Sequence, residues 1–583
     1  MMRQSARFAF GMWLLTACAT APATTVSPVS EDASDESESS VGEGGPRGLP
    51  PGMQVAPPPR IEPSVAVAKR STPVQPVAAP IAKVESAVPH EAPSTSGAQP
   101  QSLAFPVEPF RNTQPAASEH RAFQLPGIHR FKLDAFDAEV FLVERHELPT
   151  VSMTMTFAGG SANDPKGKEG QAEICMSLLE EGTRRLEKIA FDEALADTAS
   201  TLSAWAALDQ LGVGFSTLSR NLDSTLDLWI EMVFEPGLRE SDRVRLVDRR
   251  IEALKQQKGA VASVASRLSG HMVYGPKHAL GRLETESSYG SITVADCRKH
   301  YRDWLKPGGT RLFVVGDIDE KGIRQQVQDR LVARKWKGKA ARTASFGKIK
   351  PLSGRIFFVG IPGSQQSALY LSYPGPSRNA PDYFATDLMA SVFGGGFAGR
   401  LNMNLREDKG WAYGARGGFS YHRHGSTFVA SASVQTDHSQ EALMEMVREL
   451  TVLSDGSSPV KPAELEREKN GSTLALPAGF ATRSAVLQRY RDLLYYGLPL
   501  DYYNTYVASI QAVTTEGVAR AARTHLRPDA LQVLVVGDPD KVLPTLKLLR
   551  ENQTFGPGDL VVLDADGKEL SRTKASKPNP TKK

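Results

Sequence analysis

The sequence predicts an α+β chain built from two copies of one domain, each a mostly antiparallel sheet with helices packed on one face. Three observations carry this. Thr514, Pro528 and Gly537 follow Thr293, Pro307 and Gly316 at one common offset of 221 positions. Around each triplet the context repeats: Leu305-Lys306-Pro307 against Leu526-Arg527-Pro528, and Val314-Val315-Gly316-Asp317 against Val535-Val536-Gly537-Asp538. Finally, strand-like and helix-like patterns mix within each copy, which fits a sheet backed by helices.

The elements follow in order. Val151, Met153, Met155 and Phe157 alternate with Ser152, Thr154 and Thr156, the period of a half-buried strand. In the second copy 356–359, 367–371 and 427–434 read the same way. Stretches 171–181, 241–257 and 441–452 read as helices. Pro462-Ala463-Glu464-Leu465-Glu466 is a helix start with proline and acids in its first turn. The short join between the copies, about 332–350, suggests a hinge.

Outside the copies the composition changes. Arg3 and Arg7 precede an apolar run, Phe8 to Leu15, too short to span a bilayer. It ends at Leu15-Thr16-Ala17-Cys18, which resembles a bacterial lipoprotein signal in which Cys18 is lipidated; multiple acyl chains would make the attachment stable. For a Gram-negative source, Ala19 after that cysteine favours the outer membrane, with the protein facing the periplasm. Residues 19–120 are rich in Pro, Ser and Ala and bury too little apolar surface to order themselves. As a flexible tether of about 100 residues they would span about 55 Å. The resulting organisation is a signal peptide at 1–18, a tether at 19–120, domains at 121–335 and 345–555, and a basic tail at 556–583.

Charge excludes one class of function. With 69 basic and 65 acidic residues the chain is nearly balanced, and no clustered basic face argues for nucleic acid. Cys175 and Cys297, the two cysteines besides Cys18, make no disulfide framework. Buried free thiols are the preferred reading over a bridge or a metal site. His422 and His424 precede a Gly-Ser turn and read as a solvated hairpin. Gly394, Gly396 and Gly399 spell G-x-G-x-x-G, but after a helix rather than a strand, without the context a dinucleotide site needs.

Longer motifs then match in order. Leu148-Pro149-Thr150, Ala158-Gly159-Gly160-Ser161-Ala162, 170–177 ending in Glu181-Gly182-Thr183, and 274–282 stand in the first copy. The second has 393–401, Leu405-Arg406-Glu407 and Gly410-Trp411-Ala412-Tyr413. Together they resemble the insulinase/pitrilysin zinc metallopeptidases, the inverzincins, over roughly 126–544. Active members carry H-x-x-E-H on a helix: two zinc ligands one turn apart on one face, and a general base between them. A glutamate about 75 residues further on completes the ligands. Here the positions are Glu173, Met176 and Ser177, and the later glutamate falls at or near Arg250. The resemblance therefore implies a degenerate zinc site, with no metal and no cofactor in this chain. Arg406 and Tyr413 match the Arg/Tyr pair that active members place opposite zinc to bind substrate and stabilise the oxyanion.

The resemblance implies a catalytically inactive, non-peptidase subunit that pairs with a zinc-bearing homologue to hold and help cleave peptides in the cell envelope. The competing reading is a non-catalytic scaffold or binding protein of the envelope with no peptidase partner. An autonomous enzyme rebuilt around Glu173 has one carboxylate to support it.

Overall fold

In the computed structural model of the chain, residues 125–574 are described, apart from 134, 135, 137, 340–345 and 347–353. The signal peptide, Cys18 and the tether expected at 19–120 lie outside the described residues.

A five-stranded core of one topology recurs in both halves. The first sheet has β1 (His129–Lys132), β2 (Ala138–Glu144), β3 (Thr150–Ala158), β4 (Thr201–Ala206), β5 (Gln210–Leu218) and β6 (Thr310–Gly316). Its order is β1-β2-β6-β3-β5-β4. The second has β7 (Ile356–Gly360), β8 (Gln366–Gly375), β9 (Ala412–His422), β10 (Gly425–Gln435), β11 (Gln532–Gly537), β12 (Leu560–Leu563) and β13 (Glu569–Thr573). Its order is β13-β12-β7-β11-β8-β10-β9. In each sheet the last strand of the repeat pairs parallel with the first, β6 with β2 and β11 with β7. The other pairs of the shared core are antiparallel. The two sheets with their helices make the chain α+β.

Helices that matter below are α1 (Gln171–Ser177), α2 (Glu240–Lys258), α3 (Val261–Tyr274), α4 (Glu286–Gly290), α5 (Val294–Trp304), α6 (Pro462–Leu474), α7 (Arg483–Tyr496), α8 (Thr515–His525) and α9 (Pro539–Glu551). The duplication extends to them, since α7 begins at 483 against 261 for α3, and α8 at 515 against 294 for α5. Threonine caps both α5 and α8, Thr293 accepting from Asp296 N and Thr514 from Gly517 N. Such a cap satisfies one of the amides a helix start leaves unpaired.

Much of the join expected as a hinge, 332–350, lies outside the described residues, and away from it the halves interlock. Helix α3 of the first half lies on the second sheet. Its Val264, Ala265, Leu268 and Met272 share an apolar cluster with Phe357, Val359, Leu534 and Val536. Helix α7 of the second half packs in turn on β6 and β3 of the first sheet. There Tyr495 donates to Asp209 Oδ1 at 2.8 Å, and the Arg491 guanidinium stands 4.5 Å from the Trp205 ring centroid. Opening the halves would return both apolar faces to water, which opposes hinge motion. Leu268 is fully buried in this contact. Leu268→Ala is expected to lower stability by about 3 kcal/mol, read as a shift in urea midpoint at unchanged slope.

Two further expectations are corrected. The segment 556–583 is not simply a basic tail, and the second sheet does not end at 555. Leu560–Leu563 pairs parallel with β7, and Glu569–Thr573 pairs antiparallel with it in turn. Four apolar residues with an open edge beside them gain more by joining the sheet than by staying solvated. Residues 575–583 lie outside the described part. The His422–His424 hairpin is not merely solvated either. His424 stacks on Phe346 at 3.9 Å, and its Nε2 lies 3.7 Å from the carboxylate of buried Asp209.

Candidate functional site

The four positions matched to a zinc site are placed by α1 and α2. The first turn of α1 is held by Asp164, whose carboxylate accepts from Gly170 N and Ala172 N, both at 2.9 Å. Gly170 takes φ +94, in the left-handed region, and a Cβ there would meet the Tyr289 ring at 2.4 Å.

Glu173 and Arg250 come together, as the alignment of the motif requires. Their Oε1 and Nη2 are 2.8 Å apart, each side chain partly exposed. Tyr289, from α4, donates its hydroxyl to the other oxygen, Glu173 Oε2, at 2.8 Å. Burial, and next the Glu173 charge, push the Tyr289 phenol far up, so it stays protonated and donates. Met176 points into the core and is 1% exposed, while Ser177 is half-buried at the helix end. Glu252 faces elsewhere, paired with Lys255 at 2.6 Å.

This donor set does not fit zinc. A guanidinium stands against the one carboxylate that remains, and a fixed cation repels a metal ion. No group of three His, Cys, Asp or Glu side chains able to hold a metal occurs among the described residues.

Cys175 corrects another expectation. It is disulfide-bonded to Cys297 on α5, with Cα atoms 4.8 Å apart, so neither is a free thiol. Both are buried, 3% and 1% exposed. Helices α1 and α5 pack side by side, which brings together two thiols 122 positions apart. The bridge ties the helix bearing Glu173 to the body of the first half.

Arg406 and Tyr413 also come together, on a different surface. Arg406 lies in a π-helical turn, Met403–Asp408, an irregularity frequent at functional sites. Tyr413 is the extra residue of a β-bulge: Ser433 pairs with Gly414 and Val434 with Ala412, leaving Tyr413 unmatched. A bulge re-aims a side chain, and Tyr413 is 88% exposed. The Arg406 guanidinium is 5.2 Å from the Tyr413 ring and 5.0 Å from that of Phe397, itself 59% exposed. Arginine is thus flanked by two aromatic rings, which steady the cation, and its Nε lies 3.3 Å from the Glu407 carboxylate.

The support beneath this platform is built from the glycine run. Gly394 bridges to Gly417 on β9, and a Cβ on Gly394 would meet Gly417 N at 2.4 Å. The run is a close backbone contact, in keeping with the absence of a dinucleotide context. Buried Asn402 donates to Phe397 O at 2.8 Å and accepts from Ala415 N at 3.1 Å, binding the loop to the strand that carries Tyr413. Arg400 grips Glu464 of α6 with two bonds, at 2.8 and 2.7 Å. Sequence reasoning missed Phe397 as the third member of the stack. Its position inside the glycine run, between two motif residues, was the available signal.

Comparison with known proteins identifies the family. Residues 139–274 match the family described as Insulinase (Peptidase family M16), and 291–472 match the Peptidase M16 inactive domain. The chain belongs to the M16 insulinase family. It is similar to a non-peptidase homolog, YmxG, of Helicobacter pylori, 21% identical over 406 residues, covering 69% of this chain and 92% of the relative. It is also similar to the zinc protease PqqE of Helicobacter pylori, 23% identical over 390 residues, covering 65% and 86%. Among solved structures, the peptidase M16 inactive domain from Pseudomonas fluorescens superposes with a TM-score of 0.64 at 23% identity, covering 70% of this chain and 98% of that one. A protease from Helicobacter pylori gives 0.64 at 19% identity, covering 71% and 100%. The chain has the family's fold, with Glu173, Met176, Ser177 and Arg250 at the positions matched to its zinc site.

Proposed function

We propose that this protein is the non-catalytic subunit of a two-chain zinc peptidase of the cell envelope, pairing with a zinc-bearing homologue to hold peptides for cleavage. One observation carries the reading. The metal position is filled by the Glu173–Arg250 ion pair, while Tyr413 stands exposed beside a partly exposed Arg406. A chain that had lost all peptidase work would have no reason to keep one half of the machinery apart from the other.

In this reading the partner supplies zinc and the general base. Arg406 and Tyr413 supply fixed donors to the peptide backbone and to charge developing on the attacked carbonyl. Phe397 and Tyr413 wall the subsite. The lipoprotein-like sequence ending at Cys18 would tether the pair to the outer membrane, facing the periplasm. The Cys175–Cys297 bridge supports an oxidising compartment, where such bonds persist.

The test combines metal analysis with peptide hydrolysis on the soluble part, residues 121–583, alone and mixed with the zinc-bearing homologue of the same organism. The expected result is no zinc and no hydrolysis for this chain alone, one zinc per pair, and faster cleavage by the pair than by the homologue. Equal cleavage with and without this chain would favour the envelope scaffold instead.

A further inference from the structure

Among the described residues, the hairpin at the C-terminal end, 560–573, is not matched at the corresponding edge of the first sheet. At the matching edge of the first sheet stands β1, which pairs antiparallel with β2, whereas β12 pairs parallel with β7. The hairpin's turn is shaped by Asp564, whose Oδ1 accepts from Asp566 N and Lys568 N, both at 2.9 Å.

That turn does not face solvent. Asp566 reaches into the first half, with Oδ2 2.7 Å from Lys258 Nζ and Oδ1 3.2 Å from Arg267 Nη2. The two cations are largely buried, with side chains 16% and 9% exposed. Lys258 is the last residue of α2, the helix that carries Arg250, and Arg267 lies on α3. The same cations hold the start of α4 and the residues just before it. Lys258 bonds Glu286 at 2.5 Å, and Arg267 donates to the carbonyls of Glu284 and Ala565. From there Thr285 and Ser288 form a reciprocal cap on α4, and Tyr289 at its end donates to Glu173.

We propose that the hairpin is a clasp. Asp566 acts as a positioning residue that bridges Lys258 and Arg267, fixes 283–289 and, through Tyr289, sets the orientation of Glu173 against Arg250. A cation as enclosed as Arg267 is costly to leave without a counter-charge, so the clasp is coupled to both helices it touches. This inference does not depend on the proposed peptidase pairing.

Hydrogen–deuterium exchange on the full chain tests it, comparing wild type with Asp566→Asn. The variant is expected to exchange about fivefold to tenfold faster at 283–292 and at the start of α3, while the strands of the first sheet keep wild-type rates. Arg572→Gln, on the outer strand of the same hairpin, serves as the control and is expected to leave 283–292 unchanged. A second readout is coupling: Lys258→Met should accelerate exchange at 283–292 strongly in wild type and much less on top of Asp566→Asn. Faster exchange confined to 560–574 would overturn the proposal and leave the hairpin as a passive edge. So would an equal effect from Arg572→Gln, or full additivity of the two substitutions.

Discussion

Replacing Cys175 and Cys297 together by alanine is expected to lower the unfolding free energy by about 4 kcal/mol. The bridge closes a long loop, with 122 positions between its ends, and cross-links of this length remove much of the unfolded chain's freedom. A small added cost comes from the cavity left by two buried sulfurs. The measurement is chemical denaturation of oxidised wild type, reduced wild type and the double variant. Reduced wild type and the variant should both fall well below the oxidised protein, the variant slightly lower for its cavity, and reductant should not move the variant further. Titration of two free thiols in the native oxidised protein would sink the idea. The loss should be felt first in α1, because Glu173 stands two residues from the bridged Cys175.

The second large effect concerns the open pair. In a mixture with the zinc-bearing homologue, Arg406→Ala is expected to cut kcat/KM for peptide cleavage by about 10²–10³, the range seen when one oxyanion donor is removed. Tyr413→Phe keeps the ring beside the guanidinium and removes the hydroxyl, so a smaller loss of about tenfold is expected. Neither change touches the metal, and zinc per pair should be unaltered. The same substitutions should not alter the stability of the chain alone by more than about 1 kcal/mol, because both side chains reach toward solvent. Unchanged cleavage with both variants would remove the pair from the reaction.

What the sequence discloses here is whatever repeats or matches at a fixed spacing. The 221-residue offset exposed the duplication because Thr293 and Thr514 cap equivalent helices, and Gly316 and Gly537 end equivalent strands. Glu173 and Arg250 could be brought together on paper because each occupies a position in a known helical motif. Contacts between distant segments were not visible in this way. Nothing local distinguishes Cys175 and Cys297 from two buried thiols, since their meeting depends on how α1 and α5 pack. The terminal hairpin did have a local signal, Leu560 to Leu563 followed by Asp564-Ala565-Asp566-Gly567, a strand and turn. The basic residues that follow it drew the reading toward a solvated tail. Phe397 was hidden for another reason: its role comes from the π-helical turn and the bulge that aim Arg406 and Tyr413, and neither irregularity has a spacing to recognise.

The reciprocal seating of α3 and α7 bears on how such a chain could arise or be divided. Each half lends a helix to the sheet of its twin, as two exchanged subunits do, and the apolar cluster on the second sheet is completed by the first half. The molecule has the arrangement of a dimer whose members are joined end to end. Nicked at the join, its two pieces should therefore stay associated, and either one expressed by itself should seek a substitute for the missing helix, most readily from a second copy of the same piece.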